Sequence, residues 1–189
     1  MTRNTPDEPT RRPAWSPAVV LLALVAWFPA PAAENLSLAP LAEATASSEF
    51  SQTYSADLVI DGIVTGASTW YATAADPQPT ISVLLQQPSR VEQIRILYYT
   101  TGIYTLLTGS VQLYDLNGTL LHEEAVTFTD GGLDLTLSPV VEPVRRVTLV
   151  AETWNNEYPA MSEFEIIGDA LPCTSDLQCD NGVFCDGVE

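Results

Sequence analysis

The residues of this chain best placed to do chemistry are oxygen donors. Asp61 opens the stretch Asp61-Gly62-Ile63-Val64-Thr65-Gly66-Ala67-Ser68, where two glycines let the backbone curl its carbonyls inward. Asp61 adds a charge there and Ser68 a hydroxyl. Calcium takes six to eight such oxygens, from carboxylates, hydroxyls and main-chain carbonyls in irregular loops. Glu163, within Met161-Ser162-Glu163-Phe164-Glu165-Ile166, would complete the set from the far end of the chain. An ion so held would tie the first and last strands together and shape loops; it would not catalyse. The competing reading is structural: Asp-Gly is a common turn, and Glu163 would then be an exposed strand residue.

A second group is aromatic. Tyr71, Tyr104, Trp154 and Tyr158 are expected on exposed loops, with Asn155 and Asn156 between the last two. Aromatic rings stack on the apolar faces of sugars, and amides both donate and accept hydrogen bonds to hydroxyls. Alternatively, Trp154 and Tyr158 cap a hydrophobic core, the common fate of large aromatics at strand ends. Trp70 belongs to the core in either case. Catalysis has little to stand on. The one histidine, His122, lies in a strand beside Glu123 and Glu124, and no nucleophile elbow, phosphate loop or zinc spacing is present. The chain is expected not to be an enzyme.

These residues must be positioned by strands. Residues 80–85 alternate before Pro88 interrupts them; residues 91–99 follow, with Ile94, Ile96 and Tyr98 on one face and Arg95 and Leu97 on the other. Residues 110–116 lead through Asn117-Gly118, a tight hairpin signal, into 119–125. Leu133-Asp134-Leu135-Thr136-Leu137 has period two. Pro139 and Pro143 bracket a connector into 146–151, and 162–167 close the series. The run Ala56-Asp57-Leu58-Val59-Ile60-Asp61-Gly62 reads as a strand or strand edge. No window between shows sustained helical periodicity. Eight or so strands broken by Gly, Pro and Asn-Gly predict an all-β, antiparallel sandwich.

Charge narrows the partners. The 189 residues carry a formal charge of −17, and the seven cationic residues are all arginines. Such a chain repels nucleic-acid phosphate and anionic lipid. Arg3, Arg11 and Arg12 precede an apolar run over 18–28, followed by Ala30-Pro31-Ala32-Ala33. Eleven apolar residues are too few to cross a bilayer, which takes about 20. Residues 1–33 are therefore expected to be a signal peptide cleaved after Ala32 or Ala33. The mature protein is exported, more acidic still, and not inserted in a membrane. Cys173, Cys179 and Cys185 all lie near the C-terminus, so the domain must hold together without disulfides.

Ala44-Thr45-Ala46-Ser47-Ser48, then residues 56–62, then Ser68-Thr69-Trp70, resemble the opening of a discoidin, or coagulation factor F5/8 type C, domain. Residues 81–98 are similar to that family's strand–proline–strand passage. Arg145-Arg146-Val147-Thr148-Leu149 is similar to its penultimate strand and Ser162-Glu163-Phe164-Glu165-Ile166 to its last. The resemblance covers residues 36–168 and implies the galactose-binding-like jelly-roll sandwich. It also implies a structural calcium held by the Asp61 and Glu163 carboxylates, by the hydroxyl and carbonyl of Ser68, and by main-chain oxygens of Leu58, Ile63 and Ser162. Two departures stand out. Leucines occupy 84 and 85, in a strand where the family usually has an acid, and residues 100–109 lack the arginine, histidine or acid that commonly grips sugar hydroxyls.

The tail, residues 169–189, spaces its cysteines by six and interleaves them with Asp, Asn and Gly. It resembles the start of the Cys- and Asp-rich repeats of exported bacterial proteins. Three cysteines leave one unpaired, so the chain is read as a fragment or an early-terminated product. The expected function is a secreted or cell-surface, non-catalytic module of bacterial type that recognises a glycan or another extracellular ligand through its end loops. The alternatives are an adhesive or structural domain of a larger surface protein, or the accessory module of an exported glycoside hydrolase.

Overall fold

Alternation of apolar and polar side chains decides where strands form and which way they face. The computed structural model describes residues 33–99 and 103–172; the expected signal segment up to residue 32 and the expected tail from residue 173 lie outside the described residues, while residues 169 and 170 belong to the last strand. Nine strands form among them: β1 (Glu34–Asn35), β2 (Glu43–Ala46), β3 (Trp70–Tyr71), β4 (Thr80–Leu97), β5 (Leu106–Tyr114), β6 (Leu120–Thr127), β7 (Leu133–Trp154), β8 (Ala160–Met161) and β9 (Glu163–Ala170). Every pairing is antiparallel. The main sheet runs β1-β9-β4-β7-β5-β6 with β2 also on β4, and β3 pairs with β8 alone. No helix of the described residues is long and apolar enough to cross a membrane.

β4 and β7 are long enough to serve two layers. The first part of β4 pairs Thr80 to Leu84 with Val150 to Arg146, flanked by β2 and β5. Its last part pairs Gln93 to Ile96 with Thr136 to Leu133, flanked by β9. One core joins the two parts: Ile81, Val83, Val111, Leu113, Val147 and Leu149 from one, Ile94, Ile96, Phe164 and Ile166 from the other. This is the antiparallel sandwich expected from the alternation, with Trp70 buried as expected.

Three local expectations are corrected. Pro88 does not end a strand, and Pro139 and Pro143 lie inside β7 rather than in a connector. Proline lacks the N–H a ladder needs and is tolerated at breaks in pairing. Here the breaks are register shifts: β4 pairing to β7 jumps from Leu84 to Ser89, and the prolines of β7 fall between Thr136, Val141 and Val144. The run at 56–60 is a 3-10 helix, not a strand. Its buried residues, Ala56 and Val59, are three apart, the period of a 3-10 turn.

Candidate functional site

The sandwich gathers the expected oxygen donors where β9 begins. Gly62, at φ +78°, turns the chain after the 3-10 helix in a left-handed conformation that glycine tolerates. That turn presents its N–H to Glu163 Oε2 at 3.1 Å, across the seam between the two ends of the domain. The Ser68 hydroxyl donates to Asp61 Oδ2, and the Ile63 N–H donates to Asp61 Oδ1 at 2.8 Å. Asp61 and Ile63 are exposed, Leu58 is half-buried, and Ser68, Ser162 and Glu163 are buried. Glu163 is only 1% exposed, which excludes its reading as an exposed strand residue.

Its environment is costly for a carboxylate. Burial, and the Asp61 charge after it, push the Glu163 carboxyl up to about 7. Oε1 is buried with no hydrogen-bond partner among the described residues. An orphaned acceptor beside a second carboxylate is the environment a hard divalent cation relieves, so the donor chemistry fits calcium. Among the described residues no group of three or more His, Cys, Asp or Glu side chains gathers for a metal. Hydroxyl and carbonyl oxygens would have to complete the shell. The Ser162 hydroxyl is already engaged: it pairs with Thr69 Oγ1 at 3.0 Å and accepts the Tyr99 N–H at 3.1 Å.

That Ser162–Thr69–Tyr99 contact joins the acid pair to the aromatic end of the sandwich. There the segment between β2 and β3, the described end of the β4–β5 loop and the β7–β8 loop meet. Backbone hydrogen bonds set their order: Phe50 N–H donates to Tyr71 O at 2.8 Å, Asn155 N–H to Thr105 O at 2.9 Å and Ala160 N–H to Tyr104 O at 2.8 Å. Tyr104 holds a left-handed φ of +59°, strained for a bulky side chain. This conformation places its ring parallel to Tyr158, centroids 4.8 Å apart and planes 7° from each other. Tyr71 lies beneath, edge-on to both at 5.6 and 5.8 Å. Phe50 extends the cluster beside Tyr158 at 5.2 Å, and Tyr54 meets Tyr71 at 4.7 Å.

Of the six expected ligand residues, Tyr71 alone is buried, and the structure shows what holds the others. Tyr71 is buried at 8% exposure, a floor under the other rings rather than an exposed loop residue; burial, then the hydrogen bond it shares with the Tyr99 hydroxyl, push its phenol pKa up. Trp154 is half-buried and packs against the core, as its capping alternative held. The Asn155 amide donates to Thr105 Oγ1 at 3.0 Å and so shapes the loop. Asn156 is an exposed turn residue at φ +65°, a conformation Asn tolerates. Tyr104 and Tyr158 remain at the surface as a half-buried stacked pair. Sequence reasoning missed Phe50, 52% exposed, and Tyr54. The signal was Phe50-Ser51-Gln52-Thr53-Tyr54, two aromatics in a polar segment that buries neither of them fully. A cleft of about 10 Å³, room for one water or methyl group, opens among Tyr71, Tyr99, Ile103, Tyr104 and Met161.

No protein-family model matches the chain, and no curated protein matches it in sequence. Solved structures do match its fold. The chain is similar to the family 32 CBM of C. perfringens NanJ in complex with galactose, at TM-score 0.60 and 20% identity, over 72% of this chain and 98% of that one. It is similar to the lectin domain of lectinolysin complexed with Lewis B antigen, at TM-score 0.62 and 18% identity, over 72% and 98% of the two chains. The F5/8 type C domain of a Bacteroides fragilis protein gives TM-score 0.60 at 17% identity, over 74% and 97%. The chain thus shares the antiparallel sandwich fold of these domains, the F5/8 type C domain among them, as the residue resemblance implied.

Proposed function

We propose that this domain is a non-catalytic module that binds a neutral glycan outside the cell, through the aromatic end of the sandwich. The observation that carries this reading is the five-ring cluster of Phe50, Tyr54, Tyr71, Tyr104 and Tyr158. It leaves Phe50 and the Tyr104–Tyr158 pair at the surface, where a sugar's C–H face would stack. The fold neighbours solved with galactose and Lewis B support the same class of ligand. Export rests on the arginine-then-apolar segment at residues 3–28. A calcium ion, held by Asp61, Ser68 and Glu163 with main-chain oxygens of Leu58, Ile63 and Ser162, would neutralise buried Glu163 and its exposed neighbour Asp61 and brace the loops carrying Tyr99 and Thr69.

A glycan array probed with the protein, with and without chelator, tests the reading. Neutral glycans should bind, and Tyr158→Ala should weaken the best of them by about tenfold or more while the melting temperature changes little. Trp154→Ala, by contrast, should lower the melting temperature and spare binding. Failure to bind any glycan would leave the adhesive-domain alternative as the better account.

A further inference from the structure

Midway along β4 the sheet carries a second feature that the aromatic end does not use. Between Leu84 and Ser89 the pairing to β7 shifts register, so β4 bulges over Gln86, Gln87 and Pro88. Bulges re-aim side chains and recur beside binding sites. A cavity of about 150 Å³ lies against this bulge. Gln86, Gln87 and Ser89 line it from β4, and Glu34 of β1 lines it from the opposite side. Leu36 and Leu85, at 4% and 1% exposure, provide an apolar floor. Ala39 and Ala170 complete the lining, with Ala170 and Glu34 exposed at the rim.

The walls are tied down. The Ser89 hydroxyl donates to Gln87 O at 2.9 Å, and the Leu171 N–H donates to Pro88 O at 3.0 Å. β9 runs so close that a Cβ at Gly168 would sit 2.0 Å from Arg90 O, so only glycine fits there. The recess is built into the fold.

We propose that this recess is a second ligand site, which takes one neutral sugar ring. A cavity of about 150 Å³ accommodates a single six-membered ring. The Glu34 carboxylate, the Gln87 amide and the Ser89 hydroxyl as an acceptor, over an apolar floor, supply the acceptors and donors that a ring of hydroxyls needs, with a flat surface for its C–H face. The net charge of −17 and Glu34 itself repel uronic and sialic acids from the same place. The site is separate in residues and elements from the aromatic end and stands whether or not that end binds glycan.

The test is a titration of the ¹⁵N-labelled protein with galactose and with glucose, followed residue by residue in amide spectra. At sugar concentrations well above millimolar, the amides of Glu34, Gln86, Gln87 and Ser89 should shift saturably with at least one sugar. Those shifts should form a set independent of the amides around Tyr104 and Tyr158. Glu34→Gln combined with Gln87→Ala should weaken the first set by about tenfold or more and leave the second unchanged. Ala39→Phe, at an extended backbone position on the rim, should block the recess without unfolding the domain. Tyr158→Ala should abolish only the second set, so failure of one site is distinguishable from failure of the other. The proposal is overturned by absence of saturable shifts at the recess with both sugars. It is equally overturned if those shifts survive Ala39→Phe, or if methylammonium chloride shifts the amides and sugars do not.

Discussion

Glu163 is the residue whose environment departs furthest from what its chain position requires. In chelator-treated protein its carboxyl holds a proton more tightly folded than unfolded, with values near 7 and 4.5. The contribution of that group is therefore fully present below about pH 4.5 and is lost as pH rises through about 7. The melting temperature of the chelated protein should fall between about pH 5 and about pH 8, by the equivalent of about 3 kcal/mol at most. Glu163→Gln should remove this component of the fall, and the difference between the two proteins isolates it from the repulsion among the other acids. Calcium favours the charged carboxylate, so it should raise the melting temperature of the wild type at pH 8 and leave Glu163→Gln unmoved. Parallel pH profiles for the two proteins, each insensitive to calcium, would rule out both the burial effect and the ion. Asp61 and Ser68 were legible in the sequence because glycines and a hydroxyl crowd one short loop. That Glu163 is buried rather than exposed was not, because strand alternation says which residues share a face and not which face a neighbouring loop covers.

At the scale of elements, period-two alternation located β4, β5, β6, β7 and β9, and Asn117-Gly118 located the β5–β6 turn with its positive φ at Gly118. The prolines misled. Reading Pro88, Pro139 and Pro143 as ends assumes that a strand without its ladder hydrogen bond must stop, whereas β4 and β7 carry their prolines through register shifts. The aromatic end was half legible for a related reason. Tyr104 and Tyr158 stand out as ring side chains near turns, but Phe50 and Tyr54 reach them only through the tertiary pairing of Phe50 with Tyr71. Because β4 and β7 thread both layers, the layers cannot unfold separately. Ile94→Ala in one layer and Leu149→Ala in the other should each cost about 2–5 kcal/mol. Each should shift a single transition, with circular dichroism and fluorescence curves superimposed. Two separated transitions in either variant would show that the layers are independent after all.

The whole molecule combines a dense apolar core with a surface dominated by one sign of charge. All three cysteines lie beyond residue 172, outside the described residues, and none is in the sequence of the strands. Reductant should therefore leave the main melting transition where it is, and a shift of several degrees would show that the tail contributes to the fold. The same molecule has a mechanical polarity. β1 lies antiparallel to β9, with Glu34 opposite Gly168 and Asn35 opposite Ile167, so residues 33 and 171 leave the sandwich side by side. The Asn35 side chain closes this seam by accepting the Ile166 N–H at 3.2 Å. Tension applied at both residue 33 and residue 171 would thus peel β1 from β9 one pair at a time, like a zipper. A load carried between a ligand at the aromatic end and the chain leaving after residue 171 would pass instead through β9 and its eight pairs with β4, and would spare the two-pair seam with β1.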